Sequence, residues 1–218
     1  MAVKLPNGSV VSIASAYGAS FPISALSNAK PPVAAAAAHG LEAGSIIVVN
    51  SGWGKVTNRV ARASALTADT FSLEGYDTTN VARFPTGAGI GSAREVTAWT
   101  QISQVLDVAS SGGDQQFYTY GFLEDDGDDR QQPTNRTPFT FTFTLADDPE
   151  MPHHDVLLAA DESKAPHVIR IAVPDRGVLL WNAYVGYSGI PTMTRNQGMT
   201  CALSLSLESR PMRYRAST

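Results

Sequence analysis

The sequence predicts a mainly β (α+β) chain: an antiparallel β-sandwich or partial barrel with one flanking α-helix and a small inserted β module. Three observations carry this. Residues 139–145 alternate apolar and hydroxyl side chains without a break, residues 199–208 repeat the pattern, and only residues 147–166 have the composition of a helix. Successive side chains of a strand point to opposite faces, so each alternating run builds a two-faced ribbon. In the first, Phe139, Phe141, Phe143 and Leu145 share one face and Thr140, Thr142 and Thr144 the other. In the second, Met199, Cys201, Leu203, Leu205 and Leu207 oppose Thr200, Ser204, Ser206 and Glu208.

The other elements follow in chain order. The N-terminal residues lack the charged lead and apolar run of a signal peptide, and Ala34 to Ala38 is too short to span a bilayer, so a soluble, unexported chain is expected. Pro31 and Pro32 before the alanines and Gly40 after them favour an extended connector over a helix. Residues 33–91 form the predicted module, with short strands at 46–49, 55–63 and 70–73 and a glycine-rich exit at 87–91. Residues 1–32 and 92–218 then make the main domain, on which so small a module must lean. A strand of mixed periodicity is expected over 95–108, from Val96, Trp99, Ile102, Val105 and Val108.

Residues 124–137 contain no large apolar side chain, and they hold Glu124, Asp125, Asp126, Asp128 and Asp129 with Arg130 and Arg136. They predict a long polar loop, either solvated or ordered by a neighbouring subunit. A helix is placed at about 149–162: Asp147, Asp148 and Glu150 suit its start, Pro149 and Pro152 fit only a first turn, and Leu157, Leu158 and Ala160 face inward. Strands at 167–173 and 178–187 flank Pro174, Asp175, Arg176 and Gly177, the residues of a hairpin turn.

Composition narrows the function. Of 218 residues, 43% are hydrophobic and 17% charged, leaving a surface of Ser, Thr, Gln, Asn and Gly that associates readily. The net charge is −4 with no basic tract, so tight phosphate binding is not expected. One cysteine, Cys201, excludes an internal disulfide and a cysteine-rich zinc site. His153 and His154 are adjacent and would point to different sides of a helix, unlike an i, i+4 chelating pair. In the acidic run at 125–129, Arg136 or Thr137 falls where a calcium loop needs its twelfth-position Glu. No nucleophile stands in a catalytic context and Gly112-Gly113 lacks the Lys of a phosphate loop, so no catalytic residue, metal or cofactor is expected.

A further set of residues carries a resemblance. His39-Gly40-Leu41-Glu42-Ala43-Gly44-Ser45-Ile46-Ile47-Val48, Ser51-Gly52-Trp53-Gly54 and Thr70-Phe71-Ser72-Leu73-Glu74-Gly75 resemble a small β module of phage structural proteins. Around them come Trp99-Thr100-Gln101-Ile102, Ser111-Gly112-Gly113-Asp114-Gln115, the acidic run, the Phe/Thr strand, the helix, and a closing strand that ends Arg210-Pro211-Met212-Arg213-Tyr214. In this order the chain is similar to the major tail tube proteins of long-tailed (siphovirus-type) bacteriophages. The resemblance implies stacked hexameric rings forming a channel for phage DNA, assembled in the host cytoplasm into the virion. Its partners would be tape measure, tail-tip and tail terminator proteins, with no membrane. On this basis Thr140, Thr142, Thr144, Thr200, Ser204, Ser206 and Glu208 are lumen-facing candidates, the alternative being ordinary solvent exposure. Glu124, Asp125, Asp126, Asp128, Asp129, Arg130 and Arg136 are candidates for contact between subunits. The module at 33–91 is an insertion relative to simpler members, expected on the outer surface. A tail terminator, a decoration protein or a carbohydrate-binding sandwich are the competing readings; the last would want exposed aromatics in a row, whereas Trp53, Trp99 and Trp181 are dispersed.

Overall fold

A computed structural model describes residues 6–124 and 126–215. The chain runs β1 (Val10–Tyr17), β2 (Phe21–Ile23), β3 (Ala25–Leu26), β4 (Val33–Ala35), β5 (Ile46–Ser51), β6 (Arg59–Ser64), β7 (Thr70–Leu73) and β8 (Gly91–Ile102). It continues through β9 (Val105–Ser111), β10 (Gln115–Tyr120), β11 (Arg130–Arg136), β12 (Thr140–Ala146), α1 (Pro152–Ser163), β13 (His167–Val173), β14 (Gly177–Tyr187), β15 (Thr200–Leu207) and β16 (Met212–Tyr214). Twelve of these strands form one path, β3-β4-β7-β6-β5-β8-β1-β13-β14-β15-β12-β9, with β2 beside β8 and β16 beside β14. Of the sandwich and the partial barrel, the structure takes the second: one large antiparallel sheet curls into a half-barrel.

The two alternating runs are neighbours. β12 and β15 pair antiparallel with Phe141 opposite Leu205, Phe143 opposite Leu203 and Leu145 opposite Cys201. Their apolar faces merge with Trp181, Ala183 and Val185 of β14 and Ile169 of β13 into one core, and α1 covers it with Leu157 and Ala160. The helix starts three residues later than expected, with Pro152 at its first turn after Met151, because a proline needs no hydrogen-bond acceptor there. A left-handed Lys164 ends it.

The strand expected over 95–108 is two strands. Gln104 takes φ +59° between β8 and β9, and Ala146 donates to its carbonyl at 3.0 Å. β8 therefore runs between β5 and β1 while β9 leaves to pair with β12. That bend is why the apolar residues there fit no single period. β1 has no counterpart among the expected strands. It is central, between β8 and β13, with both faces covered, and Ser12 and Ala14 alternate with Val11 and Ile13 too weakly to announce it.

Strands β4 to β7, joined by Ile23 of β2, Leu26 of β3 and Ala93 of β8, share a second cluster with Trp53 and Tyr76 that includes Ile47, Phe71 and Leu73. The other side of β5 and β6 folds back over the main sheet, setting Val48 and Val60 against Val168 and Leu180. A clasp at β16 closes this curl. The Tyr214 hydroxyl accepts from the Arg62 N–H at 3.0 Å and donates to the Glu74 carbonyl at 3.1 Å. The Arg62 guanidinium lies 4.6 Å from the centre of its ring and makes two bonds of 2.6 Å to the Glu74 carboxylate. Burial pushes the Tyr214 hydroxyl up to about 12, and the hydrogen bond from Arg62 holds Glu74 below its ordinary value. Tyr214→Phe leaves an N–H and a carbonyl without their partner and is expected to cost about 1–3 kcal/mol in chemical denaturation. The Glu74 contribution has the opposite trigger, acid: it is full above the unfolded carboxylate pKa and is lost as pH falls through the lower folded value.

Among the described residues no helix is long and apolar enough to cross a membrane.

Candidate functional site

Hydroxyl residues from four strands meet on one face. The register sets Thr140 opposite Ser206, Thr142 opposite Ser204 and Thr144 opposite Ala202. On one side β9 adds Ser111, Ala109 and Asp107 opposite the same threonines; on the other, Tyr184 and Gly186 of β14 lie opposite Ser206 and Ser204. None of these side chains is buried. The patch carries small hydroxyls, one aromatic and one carboxylate, and no lysine or arginine. Its extent depends on the curl, since the same side of β13 and β14 is dry where Val48 and Val60 press on Val168 and Leu180.

Two candidates sit differently from the rest. Glu208 lies just past the end of β15, where its carboxylate accepts from Asn58 at 2.6 Å and Asn182 at 3.4 Å. It ties the module to the main sheet rather than standing free. Thr200 is at the margin, with its hydroxyl 2.8 Å from that of Thr192 in the preceding loop.

Residues 124–137 are not a structureless loop. β11 occupies Arg130–Arg136 and pairs with β10 from Gln115 opposite Arg136 to Tyr120 opposite Arg130, as a separate two-stranded ribbon. Composition concealed it because main-chain pairing and side-chain bonds such as Gln115 to the Thr134 carbonyl hold the ribbon without a buried apolar face, and Pro133 is tolerated where no further strand needs its missing N–H. Arg130 and Arg136 therefore belong to a strand, while Glu124, Asp126, Asp128 and Asp129 form the exposed tip; Asp125 lies outside the described residues. One ribbon face carries an aromatic row that the sequence reading missed. Tyr118 stacks on Tyr120 at 5.9 Å, Tyr120 meets Phe122 edge-on at 5.8 Å, and Arg130 lies over Phe122 at 5.4 Å. Tyr118 and Phe122 remain more than half exposed, at 61% and 51%, a composition that marks contact surfaces.

Two glycines aim the ribbon. Gly112 and Gly113 have φ of +84° and +82°, and a Cβ on the first would run into the Pro138 carbonyl, on the second into the Phe139 ring. The histidines are structural: His153 is buried with Nδ1 3.4 Å from the Ser103 hydroxyl, its pKa lowered by burial and then by His154. His154 bonds the Tyr187 hydroxyl at 3.0 Å.

A sheet face without cations thus stands beside a protruding ribbon with exposed aromatic side chains. Comparison with known proteins decides the family: the phage tail tube protein profile matches residues 51–216. The chain belongs to the phage tail tube protein family. It is a structural subunit of the virion tail, and the match begins at the end of β5, inside the 33–91 module. No curated protein matches this tail tube protein. Two solved structures are similar to part of it, the tail of an empty gene transfer agent particle refined with helical C6 symmetry and the virion of a native gene transfer agent particle. Each is 8% identical over 53% of this chain, covering 86% and 88% of the other chain, with a TM-score of 0.42.

Gly112→Ala is expected to destabilise the monomer by at least about 1–3 kcal/mol, the range for backbone strain alone, and, because the new Cβ meets the Pro138 carbonyl, to swing the ribbon and abolish tube formation. Thermal melting and negative-stain microscopy of the same preparation check both halves.

Proposed function

We propose that six copies of this chain close into a ring, that rings stack into a hollow tube, and that the hydroxyl face of β9, β12, β15 and β14 lines the channel through which DNA leaves. The observation that carries this is the absence of any cation across four adjacent strands of exposed face. Each lysine or arginine in a DNA conduit neutralises a phosphate and adds affinity, which acts as friction; hydroxyls and one carboxylate per subunit do not. Thr140, Thr142, Thr144, Ser204 and Ser206 lie on the lumen, Thr200 at its margin, and Glu208 at the joint with the module.

β9 ends the sheet with six of its seven residues exposed, Leu106 and Val108 among them. An open edge of this kind invites another strand, and closure around a ring removes it. The β10–β11 ribbon, with its aromatic row and acidic tip, reaches the neighbouring copy. The same row would serve a carbohydrate-binding module as a sugar platform, but in a tail subunit the adjacent copy is the surface at hand. Residues 33–91 act as an appended lobe on the body made by 1–32 and 92–218. Because β5 and β6 pack on the side of the sheet that bears the hydroxyl face, this lobe flanks one margin of the channel instead of standing behind the sheet. The role is structural, without catalysis, and the ends of the tube meet tape measure, tail-tip and terminator proteins after assembly in the host cytoplasm.

Electron microscopy of the purified chain, alone and with its tail-tip complex, tests the proposal. Stacked rings with an open axial channel are expected. Single closed rings that never stack would indicate a terminator, and persistent monomers in both conditions would sink the tube reading.

A further inference from the structure

The chain has no basic tract, yet folding gathers five cations at the base of the ribbon. Lys55, Arg59, Arg83, Arg136 and Arg210 line a cleft of about 560 Å³ between the module, the foot of β10–β11 and the segment after β15. Glu208 also borders it, but its carboxylate is taken by Asn58 and Asn182. Among the described residues none of the five has a carboxylate within 4.0 Å. Arg59 lies 5.5 Å from the centre of the Tyr76 ring and Arg136 donates to the Gly113 carbonyl at 3.4 Å, so two of the five are held in place by uncharged partners. Concentrating this much positive charge in a protein of net charge −4 is unfavourable without an anion to answer it.

The answering charge is at the other end of the same ribbon. Glu124, Asp126, Asp128 and Asp129 are all exposed at its tip. Gln115 and Arg136 stand in the cleft wall at the foot, and at about 3.3 Å per residue the six residues of β10 place the tip roughly 20 Å away. A straight ribbon cannot bring its own tip to its own foot. Opposite charges at the two ends of one projecting element are the arrangement of a head-to-tail contact, which propagates through copy after copy and closes only as a ring or a filament.

We propose that the cationic cleft of Lys55, Arg59, Arg83, Arg136 and Arg210 is the socket for the acidic ribbon tip of a second copy of this chain. This deepens the assembly reading above and rests on it. The cleft opens to solvent, and guanidinium groups bind carboxylates in paired geometry. Contacts of this type set specificity and association rate more than final affinity, so assembly should slow with added salt.

The test is charge exchange in the full-length chain. A tip variant (Asp126→Lys, Asp128→Lys, Asp129→Lys) and a cleft variant (Lys55→Glu, Arg83→Glu, Arg210→Glu) are each expected to assemble at least tenfold more slowly than the unmodified chain. All six changes together make the tip net positive and the cleft net negative, the original pairing with its signs reversed, and should recover much of the rate. Unchanged melting temperatures confirm that these exposed substitutions leave the fold intact. Normal assembly of either variant, or no recovery in the combined one, overturns the socket while leaving the tube reading standing. If the unmodified chain forms neither rings nor tubes, that reading fails on its own account. The socket is then judged by disulfide trapping between copies carrying Asp128→Cys and copies carrying Arg83→Cys, and no cross-link between them overturns it. A cleft variant that assembles normally but loses affinity for a short DNA duplex would instead assign the cations to phosphate, and would overturn the proposal too.

Discussion

Tubes built from a Thr142→Lys, Ser204→Lys chain are expected to form normally and to release DNA at least tenfold more slowly than unmodified tubes at low ionic strength. The two positions face each other across the β12–β15 ladder, so the new ammonium groups stand side by side, and the proposed ring would repeat the pair in every copy. Neither side chain is buried and neither makes a hydrogen bond to another side chain that the fold depends on, so the substitution spares the core. What changes is the interaction with passing phosphates: the logarithm of affinity falls with the logarithm of salt concentration at a slope of about −0.9 for each phosphate neutralised. The defect should therefore fade as salt rises. Ejection followed by dye fluorescence across a salt series reads both effects. Ejection at the ordinary rate in low salt would place this face somewhere other than the channel.

Trp181→Ala is expected to destabilise the monomer by about 3–5 kcal/mol, the range for removing a large buried aromatic, against a typical total of about 5–15 kcal/mol. Trp181 is 1% exposed at the centre of the main cluster and stacks on Phe141 with ring centres 5.0 Å apart and planes 23° apart. Its indole nitrogen is buried with no hydrogen-bond partner, so the loss is one of packing and not of a polar contact. Trp181→Phe keeps an aromatic surface against Phe141 and discards the unpartnered N–H; it should cost less than half as much. Urea unfolding of the two variants separates the cases, and equal losses would mean that the stack contributes little. Function follows stability here, because β14 sits between β13 and β15 and its displacement would break the continuity of the hydroxyl face.

The local features of the chain were legible wherever one strand face is wet and the other dry. Residues 139–145 and 199–208 showed their alternation because their hydroxyl side stays open, and the hairpin around Pro174 to Gly177 appeared because its turn residues are chemically distinctive. The prolines at 149 and 152 put the start of the helix at about 149, three residues before it begins at Pro152. β1 escaped notice because both its faces are covered, and β11 because an exposed ribbon needs no apolar residues at all. The site was legible only in part: the hydroxyls of β12 and β15 could be named, but not Asp107 and Ser111 of β9, which join them across a bend at Gln104.

From the sequence alone came a β-rich chain with one helix, two ribbons each with a hydroxyl side, an acidic run and a resemblance to tail tube proteins. Only the tertiary structure decided where the hydroxyl side is wet, because covering it depends on Val48 and Val60 arriving from more than a hundred residues away to lie on Val168 and Leu180. The cationic cleft arose the same way, from residues between Lys55 and Arg210 that no local pattern connects. Alternation along a strand records that it has two sides; what each side meets is settled by distant parts of the chain.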